Sequence, residues 1–353
     1  MQEDKPVLFG DVLDALFNRE LVPIHLLFRL SDMRPMESER FFKAWPAVDN
    51  ERRQEIMRHL VDLSEENFVV DFTPIFKAGL DDPSAEVRIA ALDGLWDSTD
   101  TRLISPILRI MQTDEDARAQ AAAASALAHF VLMAEWGQVP QRPVQPAIEA
   151  LLAAYENGET AVAVKRSALE ALGAAGHPRI AEFIRDAYES EEAGMQLSAL
   201  FAMGNSADPR WLPIIFDELH NPDPAMRAEA AQAAGGTGSS DAIPRLAELV
   251  NDEELDVREA AVVALGQIGG DQAQEILTEL LADSEYDALR GLIREALDML
   301  LLLGGEMSLI DYLDDEDDFD EDDFDENDLD EDDDDFDNFD GFDDDEDDEE
   351  YLF

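Results

Sequence analysis

"VREAAVVALGQIGG", residues 257–270, is an alanine-rich helical stretch closed by two glycines. It is apolar enough to be buried and too short to bury itself, so its packing partner decides the fold. Aligned on Arg258, the pattern recurs in "VRIAALDGL" at Arg88, "AQAAAASAL" at Gln120, "VKRSALEALGAAG" at Lys165, "MQLSALFAMGNSA" at Gln196, "MRAEAAQAAGGTG" at Arg227 and "LRGLIREAL" at Arg290. These anchors are spaced 32, 45, 31, 31, 31 and 32 residues apart, and seven positions after each stands Leu95, Leu127, Leu172, Met203, Ala234, Leu265 or Leu297. Internal periods of this size mark repeat architectures.

Proline sets the same register independently. Pro74, Pro106, Pro213 and Pro244 each lie 14 residues before an anchor, and proline is tolerated in the first turn of a helix, where the missing N–H is an orphan anyway. Each unit therefore reads as two helices. Helix A carries a PxLxxLL-like pattern, a polar turn follows (81–86, 221–225, 251–256), and helix B starts at the anchor and ends at glycine, the preferred residue just past a helix. Neither helix can hide its apolar face alone, so each packs on the next unit and a continuous core propagates. A weaker copy, "ERRQEIMRHL" around Arg53, adds an eighth unit.

The segments "DDPSAEVRIAAL" and "DEELDVREAAVVALGQIGG" closely resemble the HEAT family, in its short bacterial, phycobilisome-lyase-like form, through a turn, Val-Arg, Ala-Ala, Leu-Gly pattern. The resemblance covers roughly residues 39–303. It implies an all-α, right-handed α-α superhelical solenoid of the HEAT/armadillo-like class with about seven or eight repeats, and it implies that the anchor arginines form a structural ladder. Such folds host unrelated functions.

The domain organisation expected is an N-terminal helical cap (1–38), helical but out of register, a repeat solenoid (39–305), and a disordered acidic tail (306–353). The 45-residue step between Gln120 and Lys165 holds an insertion near 130–146, "FVLMAEWGQVPQRPVQP". It reads as a prolonged helix B, then Gly137, then a proline-studded stretch. Insertions of this kind often map to binding faces, which makes Trp136 a candidate contact; the structural alternative is a stiff linker with Trp136 folded onto the core.

Formal charge is −59, from 84 acidic and 25 basic residues, and 29 of the acids lie within residues 311–353. Binding to phosphates needs clustered Lys and Arg, and none is present, so direct nucleic-acid binding and anionic membrane are disfavoured. With no cysteine there is no disulfide framework, thiolate zinc site or thiol nucleophile. The start "MQEDK" lacks a signal-peptide pattern, and the apolar run "MLLLLGG" (299–305) is too short to span a bilayer. A soluble, cytoplasmic, monomeric protein is the expectation.

No catalytic, cofactor or metal residue is assigned. The anchors Arg88, Arg227 and Arg258 read as structural, each beside an acidic turn in its own and adjacent repeats, with Asp81, Asp223 or Asp256 available as a partner. No two of the five histidines (25, 59, 129, 177, 220) fall within one helical turn. HEAT-like deoxyhypusine hydroxylases bind iron through His-Glu dipeptides, and no histidine here precedes a glutamate, which disfavours that activity. Paired carboxylates such as Glu275 and Glu279 arise by chance at this acid content. Trp96 and Trp211 read as packing residues. The glycines sit at helix ends rather than in a phosphate loop.

The tail has its own pattern. Phe319, Phe324 and Leu329 recur every five residues, then Phe336, Phe339 and Phe342 every three. Acidic–hydrophobic alternation is the composition of disordered segments that dock on basic surfaces with apolar pockets; the alternative is a solvated bristle. An EF-hand register on Gly341 places Phe336 where aspartate is required. The sequence thus points to a non-enzymatic protein-interaction scaffold or adaptor using the solenoid surface, with the tail favouring basic protein partners. Two alternatives stand beside it. One is a chaperone-like or nucleic-acid-mimicking factor acting through the tail; the other is a phycobilin-lyase-related enzyme.

Overall fold

The backbone groups at every polar turn need partners, and the acids supply them. In the computed structural model, which describes residues 8–304 except Asp32, Phe68 and the side chains of 302–304, Asp49, Asp116 and Asp223 each accept from the backbone N–H two residues on and so start a helix. Asp100 and Asp208 do the same for one-turn 3-10 segments. Such caps contribute about 1 kcal/mol each.

The described residues form α1 (Phe9–Asn18), α2 (Ile24–Leu27), α3 (Pro35–Ala44), α4 (Asn50–Glu66), α5 (Thr73–Gly79), α6 (Ala85–Asp93), α7 (Ile104–Thr113), α8 (Ala117–Glu135), α9 (Gln141–Glu156) and α10 (Val162–Leu172). They continue through α11 (Ile180–Tyr188), α12 (Ala193–Asn205), α13 (Leu212–Glu218), α14 (Pro224–Thr237), α15 (Ile243–Leu249), α16 (Leu255–Ile268), α17 (Asp271–Ala282) and α18 (Arg290–Gly304). From α5 onward each odd-numbered helix packs on the even-numbered helix after it. The even-numbered helices, the B helices, stack on one another in an unbroken series from α4 to α18. This is an all-α solenoid of HEAT-like helix pairs, and α4 carries the weak copy at Arg53 into the stack.

The opening stretch lies in α16. Its alanines 260, 261 and 264 are buried against α14 and α18, and its two glycines close it with φ of +72° at Gly269 and +84° at Gly270, a region L side chains rarely adopt.

Three expectations need correction. The anchors are the fourth residues of their helices rather than the first, since α6, α14 and α16 begin at Ala85, Pro224 and Leu255. Residues 130–146 are not a linker. They lengthen α8 and begin α9, which accommodates Pro143 in its first turn and Pro146 inside the helix; only 136–140 connect them. A break expected after residue 38 falls inside α3. The tail residues Phe319, Phe324, Phe336, Phe339 and Phe342 lie outside the described residues.

Glycine has a different job from the one expected. Gly173, Gly204, Gly235 and Gly266 recur every 31 residues, and a Cβ on each would meet the next B helix. It would stand 3.0 Å from Ala202 Cα, 2.6 Å from Ala233 Cα, 2.9 Å from Ala264 Cα and 3.0 Å from Ala296 Cα, respectively. Backbone cannot yield as a flexible side chain can, so these positions set how closely the B helices approach. The substitution Gly204→Ala should destabilise the protein by about 1–3 kcal/mol despite alanine's better helix propensity. Gly158→Ala, where a Cβ meets nothing within 4 Å, should change stability by less than about 0.5 kcal/mol. Urea unfolding of the two variants checks the contrast.

Candidate protein-interaction surface

Two features stand out on the solenoid: a ladder of buried and part-buried ion pairs and a cleft between B helices. The ladder is built by one residue type at one register. Arg53 donates from Nε and Nη2 to the two carboxylate oxygens of Asp82 at 2.9 and 3.1 Å. Arg88 does so to Asp114, both at 2.7 Å, and Arg227 to Asp252, both at 2.8 Å. In each case the acid belongs to the next repeat's turn, so the pair staples neighbouring units. The planar guanidinium fork matches a carboxylate bidentately. The Arg227 guanidinium holds Asp252 below the ordinary carboxylate range, and Asp252 raises Arg227 in return. Asp81 pairs instead with Arg109, and Asp223 caps α14; of the own and adjacent turns that the sequence left open, Arg88 and Arg227 take the adjacent one. Arg258 keeps the register, but its hydrogen bonds go from Nη1 to the carbonyls of Asp252 (2.8 Å) and Glu253 (3.3 Å).

The cleft lies between α8, α10 and α12, has a volume of about 400 Å³, and is lined by His129, Leu132, Ser167, Glu170, Ala171, Phe201 and Asn205 among others. Phe201 is 37 % exposed at its edge. Burial pushes the His129 imidazole below its ordinary value, and its Nε2 is enclosed without a hydrogen-bond partner. Trp136 stands at the end of α8, one turn beyond Leu132, and is 64 % exposed, so it is not folded onto the core. Trp96 is also exposed, at 52 %, whereas Trp45 and Trp211 are buried; of the two tryptophans read as packing residues, only Trp211 packs inside.

Beside the cleft a polar cluster crosses three B helices. Arg166 Nε on α10 donates to Ser198 Oγ on α12 at 2.9 Å, and Ser198 donates to Glu170 Oε1 at 2.5 Å. Glu229 on α14 joins electrostatically: burial first, then the charge of Glu170, pushes its carboxyl up to about 7, against the opposing effect of Arg166. Its Oε1 is buried without a hydrogen-bond partner. Sequence reasoning missed this cluster. Ser167, Ser198 and Glu229 stand 31 residues apart, and a polar residue recurring at a period otherwise filled by alanine was the available signal.

The fold defines a class, a helical-repeat protein whose paired helices stack into a solenoid. Residues 212–298 match the family described as HEAT repeats. No curated protein matches the sequence. Among solved structures, human deoxyhypusine hydroxylase in complex with glycerol is similar at 20 % identity over 75 % of this chain and 96 % of that one, with a TM-score of 0.33. The Escherichia coli protein YibA is similar at 15 % identity over 68 % of this chain and 95 % of that one, TM-score 0.37. The Kap95:Nup1 complex is similar at 14 % identity over 88 % of this chain and 47 % of that one, TM-score 0.42. Among the described residues, no group of three or more His, Cys, Asp or Glu is placed to hold a metal ion, and no helix is long and apolar enough to cross a membrane.

Glu229 gives the surface a pH signature. Unfolded, a glutamate loses its proton near 4.5; here it keeps it to about 7. Between those values the folded state binds more protons than the unfolded one, so this residue's contribution falls as pH rises through that window and is level above it. The loss should be up to about 3 kcal/mol. In Glu229→Gln that slope disappears, leaving the variant more stable than the parent at pH 8 and not at pH 4.5. Thermal denaturation of both proteins across this range measures the difference.

Proposed function

We propose that the chain is a non-enzymatic scaffold that binds a protein segment of mixed apolar and basic character along its B-helix surface. The observation that carries the reading is the apolar-walled cleft between α8, α10 and α12. It has Phe201 exposed at its margin, the carboxylates of Glu170 and Glu229 in or beside it, and the exposed Trp136 one turn beyond its wall residue Leu132. Interfaces are built from this combination: an aromatic anchor on a desolvated wall, with polar groups at the rim. The charge of −59 supports a basic partner, because like-signed surfaces repel and opposite ones are steered together. Sequence composition supports a monomer in the cytoplasm, and the residues 81–92 and 252–270 support the phycobilisome-lyase-like repeat subtype. The tail phenylalanines 319, 324, 336, 339 and 342 supply a second, weaker contact to the same partner.

The test is affinity capture from native lysate by three full-length proteins: the parent, Phe201→Ser, and a tail variant with those five phenylalanines replaced by serine. Phe201→Ser should lose the captured species by about tenfold, equivalent to roughly 1–2 kcal/mol of apolar burial, while its helical circular dichroism and melting stay close to the parent's. The tail variant should lose less. Full retention by Phe201→Ser together with loss by the tail variant would assign the function to the tail.

A further inference from the structure

Four of the five arginines at the anchor register, Arg53, Arg88, Arg227 and Arg258, are seated alike, and three of them are fully paired; Arg290 bonds to Asp287 three residues before it. Arg53, Arg88 and Arg227 each place Nη1 on a carbonyl of the turn before their own helix, that of Val48, Asp82 or Asn221, at 2.5, 2.7 and 2.9 Å. Their Nε and Nη2 edge grips the next turn's aspartate. Arg258 is seated in the same way, its Nη1 on the Asp252 carbonyl at 2.8 Å. Its Nε and Nη2 edge has no acceptor among the described residues.

The residue that should close this rung is Asp283, as far from Arg258 in sequence as Asp252 is from Arg227. It accepts from the Glu285 N–H at 3.0 Å and goes no further. The cause lies in the turn. After the other aspartates a helix starts within three residues, but Asp283 is followed by a 3-10 segment, Ser284–Leu289, broken by a non-helical Tyr286. The Tyr286 hydroxyl donates back to Asn251 Oδ1 at 2.6 Å. What remains is a cleft of about 250 Å³ lined by Asn251, Asp252, Arg258, Glu285 and Tyr286 among others. Asp252 is already neutralised by Arg227.

We propose that this open rung is a carboxylate-binding site, which takes an Asp or Glu side chain of an acidic peptide segment on the Nε and Nη2 edge of Arg258. The three closed rungs show within the same protein what that edge accepts, and charge-assisted bidentate pairs are the strong ones. A doubly charged group such as phosphate is disfavoured by the exposed carboxylate of Glu285 on the cleft wall. The site is independent of the cleft between α8, α10 and α12. Two sources offer the same chemistry: an acidic segment of another protein, or the acidic residues 311–353 of this chain.

The experiment uses the full-length protein and a fluorescent synthetic peptide of sequence DDDEDDEE at about 0.15 M salt, where long-range repulsion is screened beyond about 8 Å. Binding is read by anisotropy, and exchange of the Arg258 Nε–H by nitrogen-15 NMR. Saturable binding, weakened about tenfold in Arg258→Gln and tightened about two- to fivefold in Glu285→Gln by removal of one exposed like charge, supports the proposal with an outside source. Absent peptide binding, with the Arg258 Nε–H already protected in the free chain at every protein concentration and still protected in Asp283→Asn, supports it with the chain's own acids as source. Protection lost in Asp283→Asn would overturn it, since Asp283 then closes the rung. An unprotected Nε–H, with peptide affinity unchanged by either of the other substitutions, would overturn it as well. Glu285→Gln alters an exposed side chain, so it keeps the test valid if Arg258→Gln does not fold.

Discussion

The backbones of successive B helices approach so closely at one position per repeat that a Cβ there meets the next helix, and the rest of the structure follows from that contact. Gly173, Gly204, Gly235 and Gly266 face the Cα atoms of the next helix at distances that leave no room for a methyl group. The alanines around them, such as Ala199, Ala230, Ala231 and Ala261, are buried completely. At this spacing a burial-poor residue does what a large one does elsewhere: many small contacts replace a few large ones, and dispersion accumulates through their number. Larger side chains fill the rest of the core from both kinds of helix, such as Ile107, Phe183, Ile215 and Leu246 on the A helices and Leu169, Leu200, Met203 and Leu265 on the B helices. One repeat thus mixes a narrow seam with a wide one.

Tight stacking also brings the turns of neighbouring repeats within reach of one arginine. A guanidinium that touches its own turn's carbonyl with Nη1 and the next turn's carboxylate with the opposite edge spans the gap between repeats. Because the aspartate also accepts the backbone N–H two residues on, as Asp82, Asp114 and Asp252 do, each rung fixes the helix start as well as the stacking distance. Removing one partner would leave a partly buried charge uncompensated, which costs more than the pair itself contributes. The ladder lapses where the anchor is Gln120, Lys165 or Gln196. Gln120 still donates to the Asp114 carbonyl at 2.7 Å and Gln196 to that of Tyr188 at 3.3 Å, but an amide has no second edge to offer the next turn. In that stretch α8 and α9 are lengthened, and the apolar cleft and the Glu170–Arg166–Ser198–Glu229 cluster occupy the B-helix face. The least regular part of the array therefore carries its most chemically distinctive surface, as expected where repeats serve binding as well as stacking.

The helix-pair fold hosts many unrelated activities, so the functional reading rests on that surface rather than on the fold. Phe201, Trp136 and the unpartnered Glu229 oxygen are each costly or unneeded for stability alone, and they lie on α12, at the end of α8 and on α14, respectively. A surface of this kind combines an apolar wall with desolvated acid, and it discriminates partners by what they leave unpaired as much as by what they bury.

The repeat period, the number of helix pairs and the identity of helix B were legible in the sequence, because burial requires apolar residues at helical spacing and the stacking repeats that demand every 31 residues or so. The anchor arginines were legible as a register, because they recur with the repeat. Their partners were not, since an arginine side chain spans several ångströms and two equally acidic turns lie within its reach; only the stacking geometry selects Asp114 over Asp81 and Asp252 over Asp223. The glycines were legible as a periodic feature but were assigned to helix ends, because sequence spacing cannot distinguish a residue that needs a special φ, such as Gly269, from one that needs the absence of a Cβ, such as Gly204. The prolonged helix before Gly137 was legible, whereas the prolines at 140–146 hid the start of α9, which is held by packing of Val144, Ala147 and Leu151. The open rung at Arg258 was invisible, since Asp283 has the sequence separation of a closing acid. What the sequence determined was everything that depends on period and polarity. What only tertiary structure decided was which of several permitted partners each polar group met, because that depends on distances across the stack.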